Sequence, residues 1–160
     1  ISIGLVGSEM CIRDSRTMMT GEMFALLGEA SILRHTVGIS DWSDDDFAAA
    51  VAEAHAAPAD CLGRLFGLRA GPLLFGDAAP SGSARLLGLL IGAEIATGMA
   101  AGDEPLCLVA TGGMAERYAA ALTALGIDFD RADAEDAVRN GLFAMAARIW
   151  PERELLETDA

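Results

Sequence analysis

The sequence predicts an α/β domain with parallel strands, and its final third carries that prediction. Leu106 to Ala110 (LCLVA) is a wholly apolar run of strand length, Thr111-Gly112-Gly113 follows as a glycine loop, and Met114 to Leu125 has helical spacing. Ile127 to Arg131 (IDFDR) then alternates like a half-buried strand, and a last helical stretch from Ala134 to Trp150 is stopped by Pro151. Strand, loop, helix, strand, helix places the two strands side by side and parallel, with the helix as crossover. Length and composition agree: 160 residues suffice for one ordinary domain, and a hydrophobic share of 52% excludes disordered, collagen-like and mucin-like chains. No internal repeat is present.

From the beginning, ISIGLVGSEMCIRDS has neither helical nor strand periodicity, although ISIGLVG read alone would pass for a buried strand. The run Leu5 to Ser15, LVGSEMCIRDS, resembles a translated transposase adapter from DNA library preparation. Residues 1–15 are therefore expected to be adapter sequence and are set aside. Residues 16–160 are expected to be a natural fragment cut on its N-terminal side.

Arg16 to Thr20 (RTMMT) reads as the tail of a strand, with Gly21 as a turn. Met23, Phe24, Leu27, Ile32 and Leu33 predict a helix from Glu22 to about His35, with Gly28 as its weak point. Ser43 is an N-cap followed by Asp44, Asp45 and Asp46, where the helix dipole favours negative charge. Phe47, Val51 and Ala54 form one apolar stripe of that helix, which ends before Pro58. A short helix is predicted from about Ala59 to Leu68, stopped by Gly71-Pro72, and GDAAPSG (residues 76–82) reads as a polar linker. A long helix follows from Ser83 to about Met99. Gly88 and Gly92 share one face of it at a cost of up to ~1 kcal/mol each in helix propensity, which close packing must offset. Glu94 on so apolar a helix needs a partner or a water-lined cleft; its plainer reading is a carboxylate at the rim of the core. Gly126 caps the penultimate helix, and PERELLETDA reads as a frayed tail.

Charge and composition exclude several functions. Acidic residues number 24 against 11 basic ones, a net charge of −13, so no basic face exists for nucleic acid or an anionic membrane. Every basic residue is Arg; without Lys there is no P-loop lysine, Schiff base or Ser–Lys dyad in the chain. Cys11, Cys61 and Cys107 lie far apart and only His35 and His55 accompany them, so no zinc site and no triad is expected. The longest apolar run, Leu86 to Ala101, is broken by Glu94 and three glycines and is too short for a membrane span. A soluble, cytoplasmic protein is expected.

The candidate sites are loops. Thr111-Gly112-Gly113 between a parallel strand and a helix N-terminus allows a ligand to approach the backbone, although glycines there can serve geometry alone and the full G-x-G-x-x-G is absent. Arg117 and Tyr118 on the next helix are possible ligand groups or ordinary surface residues. Thr20-Gly21-Glu22 offers a hydroxyl, an unhindered backbone and a carboxylate, or merely a helix start. The acidic run Asp41 to Asp46 lacks EF-hand spacing and reads as a solvated cap.

Taken together, RTMMTGEMFALLGEASIL, RLLGLLIGAEIA and LVATGGMAERYAAALTALG resemble, in order, the C-terminal half of the 2-dehydro-3-deoxygalactonokinase family. MTGE and GLLIGAE are the most specific segments, and RYAAAL adds support. The resemblance implies the C-terminal lobe of an actin-like, sugar-kinase-type ATPase fold, here incomplete. It implies phosphorylation of the terminal hydroxyl of 2-dehydro-3-deoxy-D-galactonate to the 6-phosphate, with ATP and Mg²⁺, in galactonate catabolism. Ala110, Thr111, Gly112 and Gly113 would form the nucleotide-binding loop, though ATGG departs from the family's glycine–small–Pro or glycine–Thr–Ser pattern. Thr20, Gly21 and Glu22 would lie near the substrate cleft, and Gly88, Gly92 and Glu94 on a supporting helix. The family's Asp-Trp-Gly phosphate turn and its Gly-Thr-His-x-Lys-Trp segment are absent, so no catalytic base is named. The partner of this lobe would be the missing N-terminal lobe, and the fragment alone is expected to be inactive. A kinase for a related sugar acid, a non-catalytic actin-like nucleotide- or sugar-binding module, and a plain α/β domain are the alternatives.

Overall fold

The computed structural model describes residues 18–37, 42–76, 80–99 and 106–150, so the expected adapter segment, Cys11, Asp41 and the C-terminal tail lie outside the described residues. Among the described residues seven helices and two strands follow in order: α1 Thr20–Glu29, α2 Arg34–Val37, α3 Asp44–Ala56, α4 Cys61–Phe75, α5 Gly82–Met99, β1 Leu106–Val109, α6 Gly112–Ala124, β2 Phe129–Ala132 and α7 Ala134–Ile149. A 3-10 turn, Pro58–Asp60, leads into α4. The described architecture is α/β and mostly helical.

The fold is built around α5. Its residues Ala84, Leu87, Ile91 and Ile95 join Phe47 and Val51 of α3 and Ala121 and Leu122 of α6 in one apolar cluster. Leu86 and Leu89 turn to the other side and pack with Ala50 and Ala54 of α3, Leu65 and Leu68 of α4 and Leu33. A helix apolar on both sides has to be buried on both sides, which accounts for its lack of a single stripe. The predicted close approach at the glycines is real. A Cβ on Gly88 would stand 2.6 Å from the Phe47 carbonyl oxygen, and one on Gly92 would collide with the Val51 carbonyl, so α3 crosses α5 backbone to backbone.

β1 and β2 pair in parallel, Leu106 opposite Phe129 and Val109 opposite Ala132, with α6 as the crossover. Although the run is wholly apolar, Cys107 and Val109 of β1 face solvent while Leu106 packs towards the core, because only one face of the two-stranded sheet is covered among the described residues.

Several boundaries differ from the sequence expectation for identifiable reasons. Thr20 and Gly21 are not a strand end and turn but the first residues of α1. The helix expected to reach His35 breaks at Ala30, where Ser31 Oγ donates to the Leu27 carbonyl at 2.5 Å and accepts from the Leu33 amide at 3.0 Å, competing with the helical ladder. α4 runs through Gly71-Pro72 to Phe75 rather than stopping there. Gly71 has no Cβ to clash with the proline ring, so the pre-proline restriction is relieved at that point. Gly82 begins α5 instead of ending a linker, and Gly112 and Gly113 belong to the first turn of α6 rather than to a loop before it. The caps behave as expected at Ser43, whose Oγ accepts from the Asp46 amide at 3.2 Å, and at Gly126, beyond which the Ile127 amide donates to the Leu122 carbonyl at 3.0 Å.

Candidate functional site

In a parallel sheet the segments leaving the carboxyl ends of neighbouring strands meet at one edge, and here they do. Ala110, Thr111 and Gly112 follow β1, Ala132 and Asp133 end β2, and with Ala115, Glu116 and Arg131 they line a cleft of about 290 Å³. Gly112 has φ +70°, and a Cβ there would meet open space, so what demands glycine is the left-handed backbone and not crowding. Thr111 sits at the N-cap position without a side-chain cap bond, so the amides opening α6 are not covered by its hydroxyl. Three of the four residues expected to form a nucleotide loop line this cleft; Gly113, one step further along α6, does not.

The cleft also contains residues the sequence reading did not single out. Arg131 of β2 reaches over to Glu116 of α6, Nη2 to Oε1 2.7 Å, in an exposed ion pair. Asp133 accepts from the Glu135 and Asp136 amides at 2.9 and 3.1 Å and so caps α7. The signal available was the parallel topology itself: once IDFDR is a strand beside LCLVA, whatever follows each must share an edge. One cation against two carboxylates makes the cleft slightly acidic, which suits a neutral, hydrogen-bonding group better than a phosphate chain.

Thr20, Gly21 and Glu22 lie elsewhere. Gly21 and Glu22 are exposed on the first turn of α1, whereas Thr20 is buried and donates through Oγ1 to Glu94 Oε2. The Tyr118 hydroxyl donates to the same oxygen at 2.6 Å. The carboxylate that needed a partner therefore has two, from α1 and α6. Burial, then the hydrogen bond and negative charge of Glu94, push the Tyr118 phenol well above its ordinary range, with the Thr20 hydroxyl working the other way. Arg117 is engaged rather than available: its guanidinium lies 3.6 Å over the Trp42 ring and 3.7 Å from Asp44, whose Oδ1 also accepts from Trp42 Nε1 at 2.6 Å. The Asp44–Asp46 run serves the start of α3 and the Ser81 amide, which donates to Asp46 Oδ2 at 2.7 Å.

A second cavity of about 370 Å³ opens between α4 and α5 beside Leu68, Pro72 and Phe75, where Arg64 and Arg85 both contact Glu53 Oε2, at 3.3 and 2.7 Å. Cys61 and Cys107 are free thiols, and burial pushes the Cys61 thiol up. Among the described residues no group of three or more His, Cys, Asp or Glu could hold a metal ion, and no helix is long and apolar enough to cross a membrane.

The model of the family described as 2-keto-3-deoxy-galactonokinase matches residues 6–145, a span that starts inside the segment read as adapter. A protein of Rhizobium meliloti (strain 1021) named as a 2-dehydro-3-deoxygalactonokinase, DgoK1, is 41% identical over 140 residues, covering 84% of this chain and 46% of the relative. The 2-dehydro-3-deoxygalactonokinase of Escherichia coli (strain K12) is 34% identical over 140 residues, covering 86% and 48%. A crystal structure of a Sinorhizobium meliloti protein assigned the same activity superposes with a TM-score of 0.75 at 40% identity, covering 84% of this chain and 46% of that one. The chain thus spans about half the length of the curated relatives it matches.

Proposed function

Because the chain belongs to the 2-keto-3-deoxy-galactonokinase family, we propose that it is the C-terminal, nucleotide-side part of a sugar-acid kinase with an actin-like ATPase fold. The whole protein transfers the γ-phosphoryl group of ATP to the terminal hydroxyl of 2-dehydro-3-deoxy-D-galactonate, giving the 6-phosphate in galactonate catabolism. The observation carrying this reading is the cleft at the carboxyl ends of β1 and β2, opened by Gly112 and bounded by the first turn of α6.

The chemistry of the cleft suits the nucleoside end of ATP. Ala110, Thr111 and Gly112 offer backbone without bulk, and Gly113 follows at the second position of α6. The uncapped amides and the Glu116–Arg131 pair offer donors and acceptors for a base and ribose. The slightly acidic lining and the absence of lysine from the sequence argue that the triphosphate points out of this cleft, towards groups on the other lobe. Mg²⁺ would arrive with the triphosphate and supply charge neutralisation for the transfer, and none of the described residues is assigned to hold it. Thr20, Gly21 and Glu22 stand as the substrate-cleft candidates, with Gly21 and Glu22 free to face a sugar acid and Thr20 turned inward. No residue of this chain is assigned as the base. The reading places the enzyme in the cytoplasm, with no nucleic-acid or membrane partner.

The test is an ADP-release assay with 2-dehydro-3-deoxy-D-galactonate on the reading frame extended upstream of Arg16, alongside the 160-residue chain. Turnover by the extended protein, with a rise in melting temperature but no turnover for the chain alone, is the expected result. No turnover by the extended protein overturns the kinase assignment, and turnover by the short chain overturns its reading as half of the enzyme.

A further inference from the structure

Glu94 is a partly buried carboxylate on the most apolar of the described helices, and one of its oxygens serves two hydroxyl donors from two other helices. The donors are 74 and 24 residues away in sequence. The contact joins Thr20 of α1, Glu94 of α5 and Tyr118 of α6. Desolvating a carboxylate for stability alone gains little, since an apolar side chain of similar shape stabilises a core about as well.

What the contact fixes is the setting of α6. The buried face of α6 is Ala115, Ala119, Ala121 and Leu122. Three of these four are alanines; Leu122 is the one large side chain buried on that face, with Met114 and Leu125 packed at its margin, so few large knobs fix the rotation of the helix. Directional contacts are what such a face lacks, and the bond from Tyr118 supplies one on the buried side, as Arg117 with Asp44 and Trp42 does nearer the surface. Tyr118 lies six residues from Gly112, or about 9 Å along the helix axis, so a small rotation at the tyrosine is carried rigidly to the first turn. We propose that Glu94 is a positioning residue: through Tyr118, and braced by Thr20, it sets the rotation of α6 and thereby the placement of the Gly112 backbone lining the cleft and of Gly113 beside it. This rests on the reading of that cleft as the nucleotide site.

The experiment uses the ¹⁵N-labelled 160-residue chain, with Mg-ADP as the probe. Tyr118→Phe removes one hydroxyl from the contact. It should displace the Gly112 and Gly113 amide resonances in the absence of nucleotide and weaken Mg-ADP binding by at least about fivefold, ~1 kcal/mol. Glu94→Gln keeps an acceptor oxygen and should fall between Tyr118→Phe and the unaltered chain. Val51→Ala loosens the α3–α5 packing without touching the contact. It should lower the melting temperature and leave both glycine amides and the Mg-ADP affinity in place. Unmoved glycine amides in Tyr118→Phe, or equal displacement in Val51→Ala, overturn the positioning role. Failure of the unaltered chain to bind Mg-ADP overturns the nucleotide reading instead, and the amide displacements still decide whether Glu94 sets α6.

Discussion

At the scale of single residues, the contact between Thr20, Glu94 and Tyr118 makes a prediction about pH. Tyr118 is the only tyrosine and the sequence has no lysine, so, beside the cysteine thiols, its phenol is the side chain whose ordinary value lies at about 10. Folded, it holds its proton where the unfolded chain releases it. The stability this contributes is fully present below about pH 10 and is lost as pH rises through the raised folded value. Urea midpoints measured from about pH 9 to about pH 11 should therefore fall, and the upper part of that fall should be missing in Tyr118→Phe; parallel profiles would refute the link. That Glu94 needed a partner was legible, because an acid on an apolar helix cannot stand alone. Which hydroxyls supply it was not, since sequence spacing says nothing about helices brought together by packing. The Ser43 cap was legible in full, because cap and helix are neighbours in the chain.

Among the elements, the α3–α5 pair carries the clearest energetic claim. Alanine at Gly88 gains up to ~1 kcal/mol in helix propensity. Its Cβ, however, would lie 2.6 Å from the Phe47 carbonyl and 2.8 Å from Ala50 Cβ, neither of which can yield without moving α3. Overpacking of this kind costs about 1–3 kcal/mol, so Gly88→Ala and Gly92→Ala should each lower thermal stability despite the better helix former. A rise in melting temperature for either would mean that the helices can separate freely. The glycine spacing announced this interface; the continuation of α4 through Pro72 was not announced. A proline normally marks a helix end, and here Gly71 before it, together with the burial of Leu65 and Leu68, outweighs that local preference. The α/β order of the last third was readable because strand and helix periods alternate cleanly there. The precise start of α6 was not, because glycine carries no periodic signal of its own.

For the molecule as a whole, the most exposed apolar side chains among the described residues gather in two places. Leu62, Phe66, Leu73 and Phe75 stand out from α4, and Leu142, Phe143 and Ile149 from α7 with Trp150 just beyond its end, all at least 60% exposed. Patches of this kind drive association in an isolated chain. Sedimentation velocity should show self-association that rises with concentration, and Phe66→Glu with Phe143→Glu should suppress it; association unchanged in the double variant would place its cause elsewhere. The sequence had pointed to such a surface only through the proposed absence of a partner lobe, since hydropathy alone does not distinguish a buried leucine from an exposed one. The same uneven burial sets an order of opening. α7 has no buried residue in its 16 positions, whereas α5 has nine, clamped between α3, α4 and α6. Amide protons of α7 should therefore exchange with solvent deuterium through local opening, long before those of α3 and α5, which exchange only when the chain unfolds globally. A proteolytic cut within α7 would then leave a protected remnant built on the glycine-lined crossing, the last part of the molecule to yield.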